Sequence, residues 1–424
     1  MKRLFTCITM LCCTTGMIAQ DTENETSVSV QIRPRAEYRN GALFPRNDGE
    51  NAAGFINNRA RLSLDYKRKD LSMKVAAQHV GVWGQDPQID KNGRFILNEA
   101  WAKLYLHKNF YAQLGRQSLV YDDERILGGL DWNVAGRFHD ALKLGYEKER
   151  NKFHLILAFN QNDEKIIGGT YYASGAQPYK SMQTLWYNYA ESNFSMSALF
   201  MNLGQEGGDA VTQDADTRYL QTFGLNMNYK YNALKIQGSA YLQSGKTVTD
   251  ISVSAWMAAL KASYQVNNHI EGIVGMDYLS GNDSDDTKHK AFNPLYGTHH
   301  KFYGSMDYFY ASSFANGLNP GLWDKYAGVN FRTSKNINLS LMYHHFSITS
   351  DVTHAGEEVN KGLGSELDFQ LDWNIMKDVK LSGGYSVMFG SDSMDIIKGG
   401  NRKSWQDWGW ISLSINPCVL FAKW

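Results

Sequence analysis

Apolar and polar residues alternate one for one along most of this chain. In "LNEAWAKLYLH" (97–107), Glu99, Trp101, Lys103, Tyr105 and His107 fall on one face; Ala100, Ala102, Leu104 and Leu106 fall on the other. "FHDALKLGYEKE" sets Leu142, Leu144 and Tyr146 against Lys143, Gly145 and Glu147. "SELDFQLDWN" and "LSGGYSVMF" repeat the pattern with Leu367, Phe369, Leu371, Trp373 and with Leu381, Tyr385, Val387, Phe389. A period of two sustained over about ten residues is the signal of a strand with two unlike faces. No long amphipathic helix competes with it, so the chain is predicted to be all-β.

The breaks in the alternation predict a topology. Very short connections fall at 68–70, 107–109, 149–151, 191–193, 231–233, 266–269, 333–336 and 376–378. Longer links lie between them at 40–53, 85–94, 121–136, 164–181, 205–216, 247–250, 282–322, 351–362 and 392–403. Eight tight turns alternating with nine links require eighteen strands, with both chain ends on the turn side. "HHKFYGSMDYFY" (299–310) also reads as a strand, but it would make a nineteenth. It is therefore placed in the seventh long link, where its aromatics favour folding over or into the interior. The final segment ends in Trp424, with Pro417 breaking its pattern.

A large secreted β-protein would alternate in the same way. Three features favour a transmembrane antiparallel β-barrel in the bacterial outer membrane, with short periplasmic turns and long outer loops. The polar face carries many charges, which a wet lumen tolerates; the segments suit tilted spanning strands; and Tyr, Phe and Trp gather near segment ends. The N-terminus agrees. "MKRLFTCITMLCCTTGMIAQ" has a basic start, an apolar core and a small residue at Ala19, so 1–20 is predicted to be a secretory signal peptide and 21–424 the barrel.

Composition narrows the chemistry. Lys and Arg total 43 and so do Asp and Glu, and this neutrality argues against a nucleic-acid partner. Cys7, Cys12 and Cys13 leave with the signal peptide, and the lone Cys418 can form neither an internal disulfide nor a thiolate metal cluster. No cofactor is expected.

Arginines on the first two strands are the strongest chemical feature. Arg33, Arg35, Glu37 and Arg39 alternate with Val28, Val30 and Ile32, and Arg59 and Arg61 alternate with Ala60, Leu62 and Leu64. On neighbouring strands these would form one cationic wall. It could bind carboxylates, which match the guanidinium fork, or brace the lumen against acids such as Glu99 and Asp372. The stretch "GRQSLVYDDERILGGLDWNVAGRFHD" (115–140) holds five carboxylates: Asp122, Asp123, Glu124, Asp131 and Asp140. They could form a glycosidase pair, a calcium site, or salt bridges with Arg116, Arg125 and Arg137 that fold the loop inward. The last reading is preferred, because the loop crowns a barrel and lacks EF-hand spacing. Trp132 could stack on a sugar ring, and His139 lies beside the loop. The candidate substrate-binding set is thus Arg33, Arg35, Arg39, Arg59, Arg61, Arg116, Asp131, Trp132, Arg137 and His139.

The pairs His299–His300 and His344–His345 would point to opposite faces if on strands, so neither chelates a metal easily. A barrel lipase would need a Ser–His–carboxylate set at the outer rim. His79 and His139 are the strand histidines with nearby acids in the sequence, and no nucleophilic Ser joins them. The residues favour a channel for small polar, anionic solutes, with a general porin or surface-binding barrel as its rival. Expected partners are outer-membrane lipid, lipopolysaccharide and the barrel-assembly machinery.

The sequence also resembles the alginate-export outer-membrane barrels of Bacteroidetes-type bacteria. The resemblance is carried by "FINNRARLSLDYK" (55–67), "AQHVGVWGQ" (77–85), "LNEAWAKLYL" (97–106) and 115–140, then by "HKFYGSMDYF" (300–309), "GLWDKYAGVNF" (321–331) and "GLGSELDFQLDW" (362–373). It implies a monomeric eighteen-stranded barrel that passes an anionic polysaccharide through a lumen lined with Arg and Lys. It also implies partners that synthesise or export that polysaccharide.

Overall fold

Eighteen antiparallel strands close on themselves in the computed structural model. It describes residues 23–89, 95–164, 166–167, 171–212 and 214–424, so the signal-peptide reading of 1–20 lies outside the described residues. The first strands are β1 (Glu25–Asn40), β2 (Ala53–Arg68), β3 (Leu71–Val82), β4 (Ile96–His107), β5 (Phe110–Gln117) and β6 (His139–Lys148). Next come β7 (Asn151–Phe159), β8 (Ser181–Ala190), β9 (Phe194–Glu206), β10 (Thr217–Tyr231), β11 (Leu234–Lys246) and β12 (Ser252–Gln265). The circuit ends with β13 (Ile270–Leu279), β14 (Leu322–Arg332), β15 (Ile337–Ser347), β16 (Gly362–Met376), β17 (Val379–Gly390) and β18. β18 is one strand in two pieces, Gln406–Ile415 and Cys418–Lys423, and both pieces pair with β1 to close the barrel.

All eight tight turns and all nine longer links fall where the alternation placed them. Closure satisfies the wall's backbone groups without water, which is what a membrane demands. Ile32, Leu62, Leu114, Leu225 and Leu242 point outward and are exposed in the isolated chain. Gln78, Gln113, Thr184, Thr222 and Gln243 point inward and are buried. Inward glycines let aromatic rings lie flat on the wall. A Cβ at Gly145 would sit 2.1 Å from the Tyr111 ring, and one at Gly224 would sit 2.3 Å from Tyr241.

Loops fill much of the interior. The link between β5 and β6 (118–138) folds inward and meets the long link between β13 and β14 (280–321). Leu127 pairs with Tyr296 as a parallel bridge. The Gly128 N–H donates to the Tyr296 carbonyl, and the Thr298 N–H donates to the Glu124 carbonyl, both at 2.9 Å. "HHKFYGSMDYFY" adds no strand. It begins with a 3-10 turn, His299–Lys301, and then buries Tyr303, Met306, Tyr308 and Phe309 to 1% exposure or less. Each such side chain gains up to about 1.5–3 kcal/mol by leaving water, which explains why an aromatic-rich loop turns in rather than out. The link after β17 contributes α1 (Asp392–Lys398), whose N-cap Ser391 side chain accepts from the Met394 N–H.

Candidate functional site

β1 and β2 bring the arginines together. Arg33 is the direct cross-strand partner of Arg59, and Arg61 is the partner of Gln31. Two guanidinium groups side by side need an anion, and the inward loop supplies one. Asp131 accepts from Arg59 at 2.7 Å and from Arg33 at 3.0 Å. The next residues follow it onto the wall: Arg33 reaches the Asn133 carbonyl at 3.3 Å, and Gln78 reaches that of Ala135 at 2.7 Å. Arg61 is tied to Gln78 at 2.6 and 2.9 Å. The surrounding barrel tends to push the Asp131 carboxyl up, but Arg59 and Arg33 more than reverse this and hold it below its ordinary value. Its side chain is still 73% open to the lumenal space, so it is a seated but accessible carboxylate.

The other candidates have different places. Arg35 is buried. It donates to Glu37 at 2.8 Å and to the Trp132 carbonyl at 2.7 Å. Arg39 reaches the other oxygen of Glu37 at 2.9 Å. Trp132 lies between Arg35, 3.9 Å from its centroid, and His300, stacked at 3.9 Å, so its two faces are already covered. Arg137 joins loops, donating to the Gly297 carbonyl at 2.9 Å and to Gln177 at 3.0 Å. His139 is buried and bonds Tyr179 at 3.0 Å, while its Nε2 has no hydrogen-bond partner among the described residues.

Arg116 stands apart from this group. It shares the outward parity of Leu114 and Leu142 and makes a two-pronged contact with Asp140, 2.9 Å on each prong. The bracing acids also differ from expectation. Glu99 pairs with Lys74 and Asp372 with Lys380, while Asp131 and Glu37 take the arginines. His299 and His300 lie in the 3-10 turn, not on a strand. His344 does lie on a strand, with Asp324 at 2.9 Å, and His154 has Glu147 at 3.1 Å, so His79 and His139 are not the only strand histidines beside acids.

The wall from β13 to β16 is acidic. A lumenal cavity of about 670 Å³ opens beneath the loops, and Asp122, Asp123, Asp277, Asp324 and Asp368 line it along with Trp132 and Lys261. Arg125 of the inward loop crosses to this wall. It reaches Asp277 at 2.8 Å and Asp123 at 3.0 Å, and lies 3.9 Å from the Phe302 centroid. Burial opposes its charge, but Asp277, Tyr303 and Asp123 hold the guanidinium well above its ordinary value. Asp122 accepts from Ser197 at 2.5 Å and from Trp186, and burial pushes its carboxyl up. The inward loop is therefore pinned to both walls. Its backbone is strained where it crosses: Asp122, Glu124 and Leu130 have φ of 52°, 71° and 50°. Such conformations cost on the order of 1–3 kcal/mol each and persist only where packing enforces them.

One feature escaped the sequence reading. Lys67, Ser72, Lys103, Gln113 and Lys143 form a single cross-strand row on the inner face, periplasmic to the arginines. Lys103 Nζ sits 3.5 Å from the Tyr111 ring centroid. The alternation of β2, β4 and β6 carried this row, but joining it required the register between strands.

Lys398 clamps three outer loops. It is 4% exposed, donates to Ser312 Oγ at 3.0 Å and also to the Ser313 carbonyl, and lies near the rings of Phe44 and Phe314. Burial pushes its pKa down from 10.5 to about 7. A depressed lysine favours the packed arrangement when neutral. Its contribution is thus full above the unpacked value of 10.5, is lost as pH falls towards 7, and stays flat below. Channel conductance is expected to be higher at about pH 6 than at about pH 9.5, and Lys398→Met should flatten the profile. An unchanged slope in that variant would remove Lys398 from the clamp.

The family described as alginate export matches residues 24–399. No curated protein matches the chain. Several solved porins share the architecture. Acinetobacter baumannii OccAB4 aligns with TM-score 0.60 at 14% identity, covering 96% of this chain and 99% of its own. Pseudomonas aeruginosa OpdQ aligns with TM-score 0.63 at 12% identity, covering 93% and 98%. A BenF-like porin from Pseudomonas fluorescens Pf-5 aligns with TM-score 0.62 at 11% identity, covering 93% and 99%. At such identities the likeness is one of fold: a bacterial outer-membrane β-barrel of porin type.

Proposed function

The chain belongs to the alginate-export family, and from that premise we propose that it is an outer-membrane passage for anionic oligo- or polysaccharides. The supporting observation is the seat that Asp131 occupies on Arg33 and Arg59. A uronate-type carboxylate has the same charge and the same two oxygens, so it can exchange with Asp131 and loosen the inward loop as it binds. The Lys67–Lys103–Lys143 row leads towards that seat from the periplasmic mouth. The acidic wall of β13 to β16 limits how tightly an anion is held, and conduction requires sites that release as well as attract. A second reading is a porin for small carboxylates. Pseudomonas aeruginosa OpdK, a barrel of the same fold with TM-score 0.60 at 9% identity, has been solved with vanillate.

The test is ion selectivity in planar bilayers. The quadruple variant Arg33→Gln, Arg35→Gln, Arg59→Gln, Arg61→Gln is expected to lose most of the wild type's anion preference. Heat-modifiable migration on gels would show that the barrel still folds. Unchanged selectivity in a folded variant would leave these arginines as braces alone. Alginate oligomers and vanillate, added separately as blockers, discriminate polymer from small-carboxylate passage.

A further inference from the structure

Five cations stand on the periplasmic turns, exposed and without an ion pair among the described residues: Lys69, Lys108, Lys148, Lys335 and Lys377. Their neighbours behave differently. Arg68 is taken by Asp70 at 2.7 Å, and Arg150 is taken by Glu191. Glu149 and Asp378 adjoin two of the five but form no ion pair with them.

The five are not spread evenly. They crown the β14–β15, β16–β17, β2–β3, β4–β5 and β6–β7 turns, which form one continuous arc across the closure of the barrel. The turns of the remaining arc, at 191–193, 232–233 and 266–269, carry no Lys or Arg, and Lys230 and Lys235, which flank the second of them, have the inward parity of Asn226 and Gln243. A neutral chain has therefore placed most of the free positive charge that this rim can turn towards lipid on one side of it.

The depth of this charge identifies its partner. Each lysine lies two to four residues from an outward-facing aromatic: Tyr66, Phe110, Tyr146, Phe331 or Trp373. Such aromatics mark the level of the lipid headgroups. A tilted strand rises at most about 3.4 Å per residue, and the headgroup layer is roughly 5–8 Å thick. The turns are too short to carry the ammonium groups out into the bulk periplasm. A flexible four-carbon stem also lets each one bend back to a phosphate. We propose that this arc is a docking surface for anionic phospholipid headgroups of the inner leaflet, of the phosphatidylglycerol type. It fixes the barrel's depth and tilt on that side.

The experiment uses the full mature barrel in lipid bilayers, with spin-labelled phosphatidylglycerol and phosphatidylcholine as probes. Juxtamembrane lysines attract anionic lipid by about fivefold per site at low salt, and the effect is screened as salt rises. The wild type is expected to bind the anionic probe several times better than the neutral one. Lys69→Gln, Lys108→Gln, Lys148→Gln, Lys335→Gln and Lys377→Gln together should abolish that preference while heat-modifiability persists. Should the quintuple variant not fold, the single variants must each remove part of the preference. Equal binding of both lipids by the wild type overturns the proposal, as does a preference that survives the substitutions. Binding of dextran sulfate by these lysines, without lipid preference, overturns it in favour of a soluble polyanion. None of these readouts measures ion selectivity, so this proposal and the transport reading fail separately.

Discussion

Replacing residues 296–312 with a Gly–Ser linker of equal length is expected to raise single-channel conductance severalfold and to sensitise cells to large hydrophilic antibiotics. An eighteen-stranded wall is wide enough to leave an aqueous channel if nothing fills it. What fills it is specific. Tyr303, Met306, Tyr308 and Phe309 are packed inside the barrel to 1% exposure or less. The same segment bonds the Leu43 N–H through the Met306 carbonyl at 2.8 Å, and its Met306 N–H donates to Glu366 at 2.9 Å. It also backs the inward loop through the Tyr296 and Thr298 contacts. Removing it releases one wall of the constriction and the support of the other. A linker of equal length keeps β13 and β14 free to pair, so a folded variant is the expected product. Conductance equal to that of the wild type would mean that the ions pass elsewhere and that this segment is not the barrier.

Arg125→Met is expected to lower stability by about 3–5 kcal/mol, the usual cost of stranding one charge of a buried pair. Arg125 is 5% exposed and Asp277 is 1% exposed. Without the guanidinium, Asp277 shares its wall with Asp324 and Asp123 and has no cation in contact. The double variant Arg125→Met, Asp277→Asn removes the fully buried pair, leaves only the part-exposed Asp123 without its cation, and should recover most of the loss, because the penalty belongs to the buried unpaired ion rather than to the missing attraction. Urea titration followed by heat-modifiable migration measures both. Equal losses in the single and double variants would sink the account, and so would a single variant within about 0.5 kcal/mol of wild type. The single variant should also conduct more, since Arg125 pins the inward loop to the acidic wall.

The wall of this protein was largely legible in its sequence because strand order is chain order. Tight turns and alternation suffice to count strands and to put the arginines of β1 and β2 on one inner wall. Parity was equally legible at Arg116, which shares the outward face of Leu114, yet its place among loop acids drew it into the wrong group. The interior was not legible. Asp131 meets Arg33 across 98 residues, and Arg125 meets Asp277 across 152. Nothing local to either residue sets those contacts. They follow from which way a strained loop turns, and that is decided by burial of Tyr296 to Phe309 in a separate link. Glu99 and Asp372 seemed suitable partners for the arginines, but nearer lysines claimed them.

The two-piece β18 has a consequence for how the molecule is made. Every other ladder joins strands consecutive in the chain, so each can form as soon as its second strand is available. Among the described strands the β1–β18 ladder alone joins the first to the last, Glu25 with Lys423. It cannot begin until β18 itself has been made and delivered, and a pairing between such distant residues is intrinsically slow. That last ladder is also the one broken at Asn416 and Pro417, and proline has no N–H to donate to it. The order of events is thus written into the connectivity: a curved sheet grows from its hairpins, and one late, interrupted seam turns it into a closed cylinder.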